Sequence, residues 1–522
     1  MDDFNWRPKH NPWAVALTVT LATFMEVLDT SIANVSLPHI AGNLSASESE
    51  ATWVLTSYLV SNAIVLPMSA WISRMIGRKR FYMVCVAVFT CSSFLCGLAP
   101  SLGVLVVLRI LQGAGGGGLQ PSEQAILADT FPPARRGMAF AVYGMAVVVA
   151  PAIGPTLGGW ITDNFTWRWI FYINVPVGVL SLFLTSRLVE DPPYLKREPS
   201  RGRIRIDYIG LGLLVLAIGC LQLVLDKGQE KDWFSTTWIA VALAVALYSL
   251  LLWILWEWNH PEPIVDLRLF KNRNFATAMF FTLILGMVLF STTVVIPQFL
   301  QLLLGYPAQL SGEALAGGGI VMLLMMPIAG ALVSRMDPRI MMAMGFLGTA
   351  VALRFISTHL SLQMDFKTAF LLRTFQAAGL AFIFLPSNTL AYVGIPREKN
   401  NQVSAMNSFV RNIGGSVGIA MITTLVTRQA AKHQNYMVAR TSPGSPAFQQ
   451  MANGLSRTLS LKGVPHPMAQ AYARIAGLIT GQATTLAYID VISVMALVVA
   501  LLTPFVLIMR RPKRAAAAAA MH

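Results

Sequence analysis

Fourteen long apolar runs constrain this chain more than any other feature. They lie at about 14–35, 52–72, 81–100, 102–125, 138–160, 168–186, 207–225, 237–256, 275–298, 312–333, 340–358, 368–392, 402–427 and 486–509. Each is long enough to cross about 30 Å of hydrocarbon at about 1.5 Å per residue. A backbone in lipid must satisfy its own hydrogen bonds, so each run is read as a helix. Barrel strands would instead be ~10-residue alternating segments. Only 12% of residues are charged, against about 25% in soluble domains. An ordinary soluble enzyme and a disordered chain are both excluded. The expected fold is an all-α integral membrane bundle of 14 transmembrane helices. The softest boundary is Ala99-Pro100-Ser101, between the third and fourth runs.

An even number of spans puts both termini on one side. Most of the 39 Lys and Arg fall in the loops on that side. They include Arg74, Arg78, Lys79 and Arg80, the pair Arg135 and Arg136, five residues between 196 and 205, and the tail Arg510 to Arg514. Basic loops mark the cytoplasmic face. The expectation is a multi-pass protein of the cell inner membrane, both termini cytoplasmic. Topology accounts for most of the net charge of +15, and no nucleic-acid role is assigned. The first run is long and lacks a small-residue cleavage pattern, so it reads as a retained span. Cys85, Cys91, Cys96 and Cys220 fall inside apolar runs without metal-ligand spacing, and read as packed thiols. No metal or other cofactor is implied.

An internal repeat organises the runs. Leu108-Arg109, Gln112 and Gly115 in the fourth run recur at a constant offset as Leu372-Arg373, Gln376 and Gly379 in the twelfth. Pro132 and Pro396, and Gly154 and Gly418, keep that offset; Pro121-Ser122 and Pro386-Ser387 match with one extra residue. An offset of eight spans implies two six-helix halves with two extra helices between them, a transporter architecture. The expected division is a cytoplasmic N-terminus at 1–13, an N-terminal bundle at 14–186, and a linker with the extra pair at 187–274. A C-terminal bundle follows at 275–509, with a tail at 510–522. The extra pair carries few polar residues apart from Gln222, as helices facing lipid or packed partners would.

Ionisable groups deep in a span cost at least ~2.5–3.5 kcal/mol, so they are functional candidates. The first run holds Glu26 and Asp29, and the fourth holds Arg109. Counted from the far ends of their runs, Asp29 and Arg109 lie about 9 and 10 Å deep. They are expected to meet. An arginine stays charged and tunes a neighbouring carboxylate. The pair therefore reads as a proton-coupling site, or as a static ion pair that fixes helix packing. Glu26, three residues from Asp29, is the second proton candidate. Glu123, at the inner end of the fourth run, reads as a further coupling residue or as a side chain snorkelling to the cytoplasm. Arg373 has no acidic partner in the ninth run. Arg411 reads as cavity lining or as a donor to a carbonyl, and Arg354 and Glu313 as snorkelling groups.

No nucleophile constellation or phosphate loop is present. Gly113 to Gly118 lies inside a span and permits close helix approach rather than nucleotide binding. Transport would then be driven by an ion gradient or run downhill. In the fifth run, Pro151 and Pro155 favour a kink, and Gly154 and Gly158 form a small-residue face.

Several of these segments resemble a known family. Gly154-Pro155, Gly158 and Gly159 look like the antiporter motif of the major facilitator superfamily. Leu28-Asp29-Thr30-Ser31 through Leu37-Pro38 resembles the first-span motif of its fourteen-span drug:proton antiporters. Arg109, Gln112 and Gly113 resemble the span-four motif assigned there to proton coupling, and Trp167 through Asn174, Pro176 and Gly178 resemble the entry to span six. The resemblance covers essentially the whole chain. One motif departs: the gating loop between spans two and three keeps Arg74, Gly77 and Arg78 but has Ser73 in place of the family's acid. That departure puts in doubt the charge network expected to lock the cytoplasmic side.

The resemblance implies proton-coupled multidrug efflux, with protons entering from outside to drive lipophilic compounds outward, and hence drug resistance. It implies the inner-membrane pump of a tripartite system, with a periplasmic membrane-fusion adaptor and an outer-membrane channel as partners. The polar stretch 428–485 reads as a periplasmic loop, either a docking surface for the adaptor or a flexible segment on the membrane. Candidates for meeting a lipophilic substrate are Tyr58, Gln112, Tyr143, Gln298, Phe384, Asn388, Asn407 and Arg411, each of which also reads as ordinary packing. The alternatives are a dedicated exporter of one endogenous lipophile, such as a fatty acid or siderophore, a non-transporting sensor or scaffold, and an uptake symporter.

Overall fold

The computed structural model of the chain describes residues 8–193, 207–333, 335–441 and 444–508. Arg7, the basic linker at 196–205 and the tail from 510 lie outside the described residues. The first six spans are built from α1 (Pro12–Asn43), the short α2 (Glu48–Ala51), α3 (Trp53–Ile76), α4 (Arg78–Leu98), α5 (Leu102–Gly116), α6 (Leu119–Thr130), α7 (Pro133–Asn164), α8 (Trp169–Tyr172) and α9 (Asn174–Leu188). The extra pair is α10 (Tyr208–Lys227) and α11 (Thr237–Asn259). The second half comprises α12 (Arg273–Leu302), α13 (Ala308–Val333), α14 (Pro338–His359), α15 (Phe366–Ala391), α16 (Asn400–Arg440), α17 (Pro446–Leu461) and α18 (Pro467–Leu502). Fourteen helices are long and apolar enough to cross a membrane, with α5 and α6 forming one span and α8 and α9 another. The break at Ala99–Ser101 is kept.

Local sequence sets the helix ends. The side chains of Asn11, Ser101, Asp207, Asn272, Asp337 and Asp365 accept from backbone N–H groups in the first turns of α1, α5, α10, α12, α14 and α15. Gly77 ends α3 and starts α4 at φ +94°, a left-handed conformation that favours glycine.

The halves repeat one packing scheme. Helix α1 packs on α7 as α12 packs on α16, α3 on α5 as α13 on α15, and α4 on α5 as α14 on α15. The glycines make these approaches possible. A Cβ at Gly113 would run into the Tyr58 carbonyl, and one at Gly115 would lie 2.7 Å from the Phe89 backbone nitrogen. Gly154 and Gly158 lie against Ser31 and Ile32 of α1, whereas Gly159 has no neighbour that a Cβ would meet and stands outside this face. The Gly154–Gly158 segment is thus packed beside the stretch that carries Asp29. The halves meet along α7–α13, α3–α16, α6–α16 and α7–α15.

Four expectations are corrected. The first span ends at Asn43, not near Val35, so Asp29 lies about 21 Å from that helix end rather than about 9 Å. The fourth span runs on to Thr130, which leaves Glu123 inside it. The stretch 428–485 is mostly helical in its described residues rather than a loop. Helix α16 continues to Arg440, α18 begins at Pro467, and α17 lies against α18, with the Phe448 and Tyr472 rings stacked 5.7 Å apart. Cys91 is exposed on the bundle surface; Cys85 and Cys96 are buried, Cys220 is half-buried, and all four are free.

The extra pair spans the seam between the halves. Gln222 donates to Ser416 of α16 at 3.0 Å, and Trp233, in the turn after α10, donates to Thr424 at 3.0 Å. Lys227 is buried, donates to Thr52 and pairs with Glu230 at 2.8 Å. The outer face of α11, including Val241, Leu247, Tyr248, Leu251 and Leu255, is exposed, as a lipid-facing helix requires.

Candidate functional site

Three of the buried carboxylates of the N-terminal half, Asp29, Glu26 and Glu123, are each differently satisfied. Asp29 is 2% exposed. Its Oδ2 accepts from Arg109 Nη1 at 2.6 Å, and its Oδ1 accepts from Gln112 at 3.0 Å and Asn174 at 2.7 Å. Arg109 Nη1 also donates to Gln112 Oε1 at 2.7 Å, its Nε donates to the Val54 carbonyl at 3.1 Å, and its guanidinium sits 4.3 Å from the Tyr58 ring centre. The expected meeting of Asp29 and Arg109 is observed, within a shell that leaves neither Asp29 oxygen unpartnered.

Glu26, one turn away, has no cation bonded to it among the described residues. Asn62 donates to Oε1 at 3.1 Å and Gln120 to Oε2 at 3.0 Å, with the Tyr58 hydroxyl at 3.5 Å from Oε1. Glu123 does not snorkel. It is fully buried, its Oε1 accepts from Thr20 at 2.6 Å, and its Oε2 has no partner.

The C-terminal half contributes a cation. Arg411, 1% exposed, donates through Nη2 to Gln120 Oε1 at 2.6 Å and to the Tyr143 hydroxyl, while its Nε and Nη1 have no partner. It lies 5.5 and 5.7 Å from the Tyr143 and Phe384 ring centres. Gln124 donates to Tyr143 at 2.9 Å and to Ser408 at 2.7 Å, and Asn407 donates to Gln124 at 2.9 Å and to Asn388 at 2.6 Å. Of the cavity candidates, Tyr143, Phe384, Asn388, Asn407 and Arg411 therefore share one polar cluster between the halves. Tyr58 and Gln112 belong to the carboxylate sites. Gln298 is half-buried near the far end of α12 and is not brought to this cluster.

The internal repeat explains why the halves differ. Arg373 donates to Gln376 Oε1 at 2.7 Å, as Arg109 does to Gln112, but its further acceptors are Thr292 at 3.1 Å and Thr293 at 3.0 Å. By the offset that relates the two arginines, Thr293 stands where Asp29 stands and Phe290 where Glu26 stands. Among the described residues, the C-terminal bundle has no buried carboxylate to match Glu26, Asp29 or Glu123.

The departure at Ser73 is compensated. Arg78 pairs with Asp129 at the end of α6, and Asp129 Oδ1 accepts from Asn400 at 2.6 Å. Asn401 accepts from Arg78 at 3.2 Å and donates to the Ser73 hydroxyl at 3.1 Å. Arg74 donates to the Pro263 carbonyl at 3.3 Å, and Lys399 pairs with Asp266 at 2.7 Å. The two halves are thereby tied together on the side of the termini. Sequence reasoning missed Asn62, Gln120, Gln124, Asn401 and Asp129, and gave Asn174 no role. The four-residue spacing of Gln120 and Gln124 on one helix face was the available signal.

Comparison with known proteins fits this architecture. The Major Facilitator Superfamily model matches residues 19–419. Multidrug export protein EmrB of Escherichia coli (strain K12) is 37% identical over 468 residues, covering 90% of this chain and 89% of that protein. Fatty acid resistance protein FarB of Neisseria gonorrhoeae is 39% identical over 446 residues, covering 85% and 86%. The proton:xylose symporter XylE superposes with a TM-score of 0.59 over 95% of both chains at 14% identity, a likeness of fold alone. This chain belongs to the major facilitator superfamily of membrane transporters.

Proposed function

We propose that the chain exports lipophilic compounds from the cell in exchange for protons, with Glu26 as the principal proton carrier. The observation that carries this is the contrast between the carboxylates. Asp29 is committed to a buried ion pair with Arg109, and breaking such a pair is costly. Glu26 is held by neutral donors alone and titrates without that loss. Asp29 and Arg109 then hold α1 against α5, and Glu123, with one unpartnered oxygen, is a second protonation site. Relatives named for multidrug export and fatty acid resistance support a lipophilic cargo. The cluster of Tyr143, Phe384, Asn388, Asn407 and Arg411 is where such cargo meets the protein.

The termini face the cytoplasm of an inner-membrane protein, and the α16–α18 hairpin projects on the opposite side. It serves as the docking surface for a periplasmic adaptor that continues to an outer-membrane channel. A narrower cargo, one endogenous lipophile, is favoured by the fatty acid resistance relative; chemically unrelated compounds would then fail to compete.

The test uses purified protein in liposomes with an imposed pH gradient and a lipophilic dye. Dye movement that follows the gradient and stops when an ionophore collapses it is expected. Movement indifferent to the gradient contradicts proton coupling.

A further inference from the structure

Gln120 is bonded to both halves at once. Its Nε2 donates to Glu26 Oε2, and its Oε1 accepts from Arg411 Nη2 at 2.6 Å and from the Tyr143 hydroxyl at 3.2 Å. A guanidinium only donates, so the amide atom facing Arg411 must be the carbonyl oxygen. The opposite end of the amide is then a donor, and Glu26 must accept there. This is the arrangement that an ionised Glu26 demands.

We propose that Gln120 is a positioning residue that transmits the protonation state of Glu26 to Arg411 and so to the C-terminal half. This rests on the proton-coupled reading above. A proton on Glu26 Oε2 points at the amide hydrogens and needs an acceptor. Gln120 supplies one by turning its amide, which presents its NH2 group to the Arg411 guanidinium, donor against donor. The Glu26–Gln120–Arg411 link between α1, α6 and α16 is then broken. Because α6 and α16 carry the Asp129–Asn400 contact that ties the halves on the side of the termini, protonation from the far side favours opening toward the termini, where the proton is released. That is the order an exporter needs.

Among the described residues, the ionisable groups facing Glu26 are Asp29 on its own helix, Tyr58 on α3, Glu123 on α6, Tyr143 on α7 and Arg411 on α16. None of the ion pairs among the described residues includes Glu26 or Arg411. The competing acceptor is Asn62, which also reaches Glu26 but bonds nothing in the other half.

The experiment places spin labels on the full chain in lipid nanodiscs, at Arg80→Cys and Glu398→Cys, both exposed on the side of the termini, after Cys91→Ser and Cys220→Ser have removed the accessible native thiols. Pulsed resonance measures their separation across pH. In the otherwise native chain, acid is expected to shift the population toward the longer separation. Gln120→Leu is expected to give the same, longer distribution at every pH, and Arg411→Gln, which cuts the link from the other end, the same result. An unchanged pH response in both variants overturns the proposal, as does a response lost in Asn62→Leu but kept in Gln120→Leu. A native separation indifferent to pH also overturns it, while the gradient-driven dye movement independently decides the export reading.

Discussion

Glu26→Gln is expected to reduce gradient-driven dye export to the level of protein-free liposomes while leaving the protein folded. The substitution keeps the size and one acceptor oxygen of a side chain that is held only by Asn62, Gln120 and a long contact to Tyr58. What it removes is the ability to carry a proton. The folded state is checked by size-exclusion profile and thermal unfolding, and coupling by dye movement under an imposed gradient. Asp29→Asn serves as the contrast. It leaves Arg109 buried without its anion, so it is expected to lower stability as well as activity. Export by Glu26→Gln at the native rate would move the proton away from Glu26 and toward Glu123.

Arg109→Ala is expected to destabilise the protein most. Removing one partner of a buried ion pair costs about 3–5 kcal/mol, because the remaining charge is left uncompensated. Here the loss also takes away the bonds to Gln112 and the Val54 carbonyl and the contact with the Tyr58 ring. The expected result is a sharply lowered unfolding temperature in detergent. Adding Asp29→Asn to this variant is expected to recover part of the loss, since the orphaned charge is removed while the cavity remains. Stability unchanged in Arg109→Ala would mean that the pair contributes nothing to the fold.

The span count, the repeat and the Asp29–Arg109 pair were legible because each leaves a strong mark in sequence. Charged residues are rare in apolar runs, and a duplicated arginine and glutamine at one offset stand out. The depth of Asp29 was misjudged, since the apolar run stops at Val35 whereas α1 continues through Pro38 to Asn43. Glu123 was misplaced for the same reason: the run fades near residue 125, but α6 extends to Thr130 within a polar interior. The α16–α18 hairpin was invisible because a helix beyond the bilayer need not be apolar, and α17 buries little more than Ala452 and Leu459. Gln120 and Asn62 were passed over because neutral amides in spans have many uses, and only their partners give them meaning. The gating loop is the reverse case. Ser73 departs from the motif, yet Asp129, Asn400 and Asn401 supply the missing link from positions far away in sequence.

Proton exchange for cargo is the central claim, and it is tested most directly by watching protons rather than dye. Proteoliposomes carrying a trapped pH indicator and no imposed gradient would receive a lipophilic cargo on one side. The account predicts that cargo crossing in one direction drives protons in the other, and that Glu26→Gln abolishes this proton signal. Cargo crossing without proton movement, or with protons moving in the same direction, would contradict it.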